Sequence, residues 1–151
     1  MFSVKIAEGD SKNNKKTFPY IKDCLKKASR EGVINAALCG GKNVDLLIVP
    51  RGAGEITENA ACLLVAGNHG KKKAAREVKC GLSNTDALTL SSINDRNAML
   101  ALQTDIYTLS GEVLERQEIP VTMEKPAEPE AVLAAAGALL LLGAGPGNLK
   151  F

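Results

Sequence analysis

The residue types that could do chemistry fall in three short glycine-bearing stretches: Cys39-Gly40-Gly41-Lys42-Asn43, Arg51-Gly52-Ala53-Gly54 and Gly67-Asn68-His69-Gly70. The first has the Gly-Lys pair of a phosphate loop, which requires G-x-x-x-x-G-K-[ST] between a strand and a helix. Here the glycines precede an aliphatic run, and Asn43 stands where a magnesium-binding hydroxyl belongs, so a plain loop is expected. The second directly follows the run Val44-Asp45-Leu46-Leu47-Ile48-Val49-Pro50. Its small residues would let backbone N–H groups approach an anion, with Arg51 as the charged contact. The same residues also suit a structural turn. The third holds the single histidine, His69, with neither a base partner nor a nucleophile that the sequence can name. Its spacing to Cys62 and Cys80 matches no zinc pattern. An ordinary loop histidine is the simpler reading, and no catalytic residue, metal or cofactor is assigned. Asp45, Glu55, Glu58 and Asp86 are acid–base candidates only by their closeness in sequence to the ends of aliphatic runs.

Charge and composition narrow the partner classes. Lys71-Lys72-Lys73 with Arg76 is the densest positive patch. It could meet a phosphate or an acidic partner, and its plainer reading is a solvated helix face. A net charge of +2 supplies no concentrated field for nucleic acid or a membrane surface. Three Phe, two Tyr and no Trp leave few platforms for stacking bases and require an aliphatic core. The four cysteines, Cys24, Cys39, Cys62 and Cys80, contain no C-x-x-C pair and read as reduced, mostly buried thiols. The opening Met1-Phe2-Ser3-Val4-Lys5-Ile6 reaches charge too soon for a secretory leader, so a cytoplasmic protein is expected. Residues 131–144 carry no charge but fall short of the roughly 20 residues a membrane span needs, which points to a buried helix.

The elements that must position these residues follow from periodicity. Residues 2–7 alternate as a half-buried strand, and residues 9–16 read as an exposed polar loop. Thr17 is placed to cap a helix starting near Pro19, with Tyr20, Cys24, Leu25 and Ala28 on one apolar face and Gly32 ending or interrupting it. Residues 44–49 and 61–66 have the continuous aliphatic pattern of strands covered on both faces. A tight turn and a short helix are expected between them, making them parallel neighbours. Residues 71–77 read as a charged helical turn and 78–82 as a third strand. Alternating runs separated by Asn94-Asp95-Arg96-Asn97 and Ser110-Gly111-Glu112 predict an antiparallel hairpin extension, clearest over residues 105–114. An alanine and leucine helix over 130–142 stops at Gly143. The expected architecture is α/β and three-layer-like, with a mostly parallel Rossmann-like sheet. A single domain spans 1–144, followed by a flexible tail over 145–151.

The order of pieces in the middle and end of the chain resembles the rear portion of a Mur ligase central domain. The matching pieces are Leu63-Leu64-Val65-Ala66-Gly67-Asn68-His69, the basic stretch 71–76, Lys79-Cys80-Gly81-Leu82-Ser83, the hairpins through Val121, and the alanine-rich run 132–143 ending in Leu142-Gly143. The chain departs from that family in having no upstream phosphate loop, no acidic pair at Asn68-His69, and no room for the substrate-binding and C-terminal domains. The resemblance therefore implies a shared partial fold in a stand-alone bacterial relative, without ATP-driven ligation.

The resulting expectation is a non-catalytic binding or interaction module in which Arg51, Gly52, Gly54, Asn68 and His69 form one pocket at strand ends. Its partner would be a small molecule or a protein. A small enzyme acting on a nucleotide or cell-wall precursor is the second reading. The third is a homodimer paired through the hairpin edge, marked by an exposed apolar patch on Ile106, Leu109, Val113 or Leu114.

Overall fold

The computed structural model describes residues 1–7, 14–54, 56–66 and 74–151. Six strands run parallel: β1 (Phe2–Ile6), β2 (Ala36–Leu38), β3 (Asn43–Val49), β4 (Asn59–Ala66), β5 (Ala74–Cys80) and β6 (Leu88–Ile93). Antiparallel β7 (Asn97–Leu102) joins β6, and β10 (Gln117–Thr122) joins β7, giving an eight-stranded sheet in the order β10-β7-β6-β5-β4-β3-β1-β2. A separate hairpin pairs β8 (Ile106–Tyr107) with β9 (Val113–Leu114). The helices are α1 (Asn14–Arg30) and α2 (Pro129–Leu141), followed by a 3-10 turn at Pro146–Asn148. This is the α/β architecture expected, with its parallel sheet, antiparallel extension and C-terminal helix.

Strand alternation decides what each face meets. Leu46 and Ile48 of β3, Leu64 of β4, Cys80 of β5 and Leu88 of β6 point to the face that holds both helices. Leu47, Val49, Leu63 and Val65 point to the other face and form a smaller buried cluster with Ile56. The third layer there comes from the β3–β4 connection, which has no helix among its described residues. Length explains the difference from expectation. Residues 50–58 must travel back along a strand of seven residues, roughly 20 Å. As a helix, they would advance only about 1.5 Å per residue, whereas extended chain covers about 3.3 Å.

Every residue from Ala131 to Leu142 is buried. That fits a helix apolar all round, set against the sheet, α1 and the hairpin segment. Leu109 donates its backbone N–H to the Leu141 carbonyl at 2.9 Å, tying the hairpin to the last turn of α2. The helix ends at Gly143, whose φ of +101° is a left-handed conformation that favours glycine. α1 ends similarly at Gly32, where Val33 N–H donates to the Ala28 carbonyl at 2.9 Å and Gly32 N–H to that of Ser29 at 3.2 Å.

Three local expectations change. Residues 74–77, expected in a helical turn, are the start of β5, paired in register with β4 from Ala60↔Ala74 to Ala66↔Cys80. Charged residues there favour no particular element, and pairing with a buried neighbour decides the conformation. α1 begins at Asn14, so Pro19 lies inside the helix and Thr17 is helical. Pro19 offers no N–H to the Lys15 carbonyl, but both residues are exposed near the helix start, where water can satisfy that group. In the segment read as a flexible tail, Leu149 and Phe151 are buried. Thr122 N–H donates to the Leu149 carbonyl at 3.0 Å, and Phe151 N–H to that of Thr122 at 2.8 Å. The loop 9–16 falls outside the described residues up to position 13, as do Glu55, Asn68, His69 and Lys71, Lys72 and Lys73.

Candidate functional site

The strongest candidate is built where parallel strands end. A cavity of about 460 Å³ opens beside the last residues of β4 and β5 and the first turn of α2. Ala66, Cys80 and Leu133 line its apolar side, and Arg51, Asp86 and Glu130 its charged side. The carboxyl edge of such a sheet is where open α/β folds take ligands, because strand ends and helix starts converge there.

Arg51 is placed by a tight turn. Val49 ends β3, the Ala53 N–H donates back to the Pro50 carbonyl at 3.1 Å, and Gly52 at φ +83° makes that reversal possible. The guanidinium Nη1 then lies 3.1 Å from Oε1 of Glu130 in the first turn of α2. An acidic group is favourable at that helix end. Arg51 is well exposed and Glu130 about one-third exposed, so the pair is worth about 0–1 kcal/mol and either partner can exchange at little cost.

The opposite wall is the turn following β5. Ser83 N–H donates to Oδ2 of Asp86 at 3.1 Å, and Asp86 N–H donates to the Ser83 carbonyl at 3.2 Å. The hydroxyls of Ser83 and Thr85 are 2.9 Å apart. Gln103 Nε2 donates to the Ser83 and Asp86 carbonyls at 3.1 and 2.7 Å, fixing the turn to the end of β7. A Cβ on Gly81 would lie 2.5 Å from Asp86 Oδ2, so a larger residue there requires that carboxylate to shift. Burial pushes the Cys80 thiol up to about 12, with the Asp86 and Glu130 carboxylates adding to the shift. It is therefore a neutral thiol at physiological pH, not a nucleophile.

Of the residues expected in one pocket, Arg51 lines this cavity. Gly52 and Gly54 do not, and Gly52 serves the turn. Asn68 and His69 lie outside the described residues, although Ala66, where the described part of β4 stops, is in the wall. Among the described acid–base candidates, Asp45, Glu58 and Asp86, only Asp86 reaches the cavity. Asp45 accepts the N–H and hydroxyl of Ser3 at 2.8 and 3.1 Å, joining β3 to β1. Glu58 lies 2.9 Å from Lys5 Nζ, and the hydrogen bond from that ammonium holds its carboxyl below the usual range. These two carboxylates do not converge with Asp86. Ser83, Thr85 and Glu130 were not singled out as site residues from sequence. Hydroxyl and acidic residues clustered just past a strand end were the available signal.

Among the described residues no group of three or more His, Cys, Asp or Glu side chains could hold a metal ion. No helix is long and apolar enough to cross a membrane among those residues. The hairpin expected to present an apolar patch has Ile106 buried and Leu109 and Leu114 half-buried, leaving Tyr107 and Val113 exposed. Set against protein-family models, curated proteins and solved structures, the chain has no match in any of the three.

Proposed function

We propose that this protein is a non-catalytic binding module whose ligand is a small polar molecule seated at the strand-end cavity. One observation carries the reading: Arg51, Glu130 and Asp86 share a pre-formed cavity of about 460 Å³ with the hydroxyls of Ser83 and Thr85. The carboxylates suit ligand hydroxyl or amino donors, and the guanidinium suits a phosphate or carboxylate. A ligand anion that takes Arg51 from Glu130 releases only a weak exposed ion pair. Phosphorylated sugars and nucleotide sugars combine both kinds of group. The resemblance to a Mur ligase central domain supports the same choice, since its Gly81-Leu82-Ser83 piece lies in the cavity wall. The chemistry proposed is binding alone.

Thermal unfolding in the presence of nucleotides, UDP-sugars and cell-wall precursors tests it. A ligand at 100 times its Kd stabilises by about 2.7 kcal/mol, which raises the midpoint by roughly 5–11 °C for a domain of this size. Arg51→Ala and Asp86→Asn should each remove most of that shift while leaving the ligand-free midpoint nearly unchanged. Absence of a shift throughout the panel, or a shift insensitive to both substitutions, defeats the assignment.

A further inference from the structure

The two edges of the main sheet are finished differently. At β10, the bonds from Thr122 to Leu149 and from Phe151 to Thr122 show that Thr122 faces away from β7, and residues 149–151 cover that end of the edge. Pro120, two residues earlier and facing the same way, has no N–H to offer. Both features block a further strand. Among the described residues neither is present at β2, the opposite edge.

The register of β2 leaves backbone groups free. Phe2 N–H donates to the Asn35 carbonyl at 3.0 Å, and Cys39 N–H donates to that of Val4 at 2.9 Å. With Phe2↔Ala36 and Val4↔Leu38 as partners, Asn35, Ala37 and Cys39 face β1, while the backbone groups of Ala36 and Leu38 face outward. The Ala36 carbonyl accepts from the Ser29 hydroxyl at 3.1 Å. Among the described residues the N–H groups of Ala36 and Leu38 and the Leu38 carbonyl have no partner.

Beside this edge lies a cavity of about 680 Å³ between β2 and α1, with Val4, Leu25, Ile34 and Leu38 in its lining. Lys26 and Arg30 of α1 stand at its rim, exposed and outside ion-pair distance of any described carboxylate. Asp23, on the same helix, also lines it, so the rim has an excess of one positive charge.

We infer that this groove binds an extended acidic segment of a partner protein, which joins the sheet as an additional strand beside β2. The segment's backbone pairs with Ala36 and Leu38, one face of it fills the apolar cavity, and an acidic side chain meets Lys26 and Arg30. A second copy of this chain fits less well. Two-fold pairing of β2 with itself would bring both α1 helices to one seam, with Lys26 and Arg30 facing their own counterparts. The strand-end cavity plays no part in this surface.

Anisotropy of a fluorescein-labelled heptapeptide of alternating valine and threonine with a central aspartate provides the test. A saturable rise is expected, weakened about tenfold in the double variant Lys26→Glu, Arg30→Glu and weakened by added salt. Both substituted side chains are exposed, and an unchanged unfolding midpoint checks that the variant folds. The same peptide methylated on alternate backbone nitrogens should not bind, because it cannot pair with the strand edge. Failure of the parent peptide to saturate at millimolar protein overturns the proposal. So does binding that survives backbone methylation, or that ignores the charge reversal. A concentration-dependent dimer by sedimentation that excludes the peptide would assign the edge to a second copy instead.

Discussion

Burial separates the four cysteines into two chemical kinds. Cys24, Cys62 and Cys80 are buried and Cys39 is exposed, and all four are free. Burial pushes the thiols of Cys24 and Cys80 up to about 12 and raises that of Cys62 as well, so they remain protonated at neutral pH. Native protein treated with iodoacetamide near pH 8 should take up one equivalent, at Cys39, and four only after unfolding. Mass spectrometry of the modified peptides checks this, and native labelling of Cys80 would show that the strand-end cavity reaches deeper than its 1% exposure suggests. Sequence alone indicated buried thiols, because free cysteine is a small hydrophobe. It did not distinguish Cys39, which follows a three-residue edge strand and so escapes the core.

At the scale of elements, α2 shows how closely a helix can approach the sheet. A Cβ at Gly137 would lie 3.0 Å from Leu88 Cδ1 and 3.2 Å from both terminal carbons of Leu64, and both leucines are fully buried. Gly137→Val should therefore destabilise by about 1–3 kcal/mol through overpacking, read as a lower denaturation midpoint at unchanged slope. Gly137→Ala is the informative companion: improved helix propensity of about 1 kcal/mol competes with displacement of the ends of two leucine side chains. The Ala131 to Leu142 run was legible as a buried helix because no face of it is polar. β5 was not legible as starting at Ala74. Its Arg76, Glu77, Val78 and Lys79 fit a helix as well as a strand, and pairing with β4 made the choice.

The whole molecule is closed by its last described residues. Phe151 is 8% exposed, meets Tyr20 of α1 edge to face at a centroid distance of 6.4 Å, and is bonded through its backbone to β10. Phe151→Ala should cost about 3 kcal/mol, at the lower end of the range for buried aromatics, and lower the unfolding midpoint. An unchanged midpoint would mean that these residues do not contribute to the core. Sequence by itself determined the period of the strands other than β2 and the start of β5, the parallel pairing of residues 44–49 with 61–66, the hairpin turns, and the stop at Gly143. These rest on hydrophobic spacing and on glycine's access to positive φ, both of which are local. It also pointed to Arg51 at a strand end. Only the tertiary structure decided that Arg51 meets Glu130, distant in sequence, and that Asp86 shares their cavity while Asp45 and Glu58 are held elsewhere by Ser3 and Lys5. It also decided that β2, the shortest strand of the main sheet, is an edge that no further described strand pairs with. Such facts depend on strand order and on which side chains converge after the chain has crossed the sheet, and local periodicity carries no information about either.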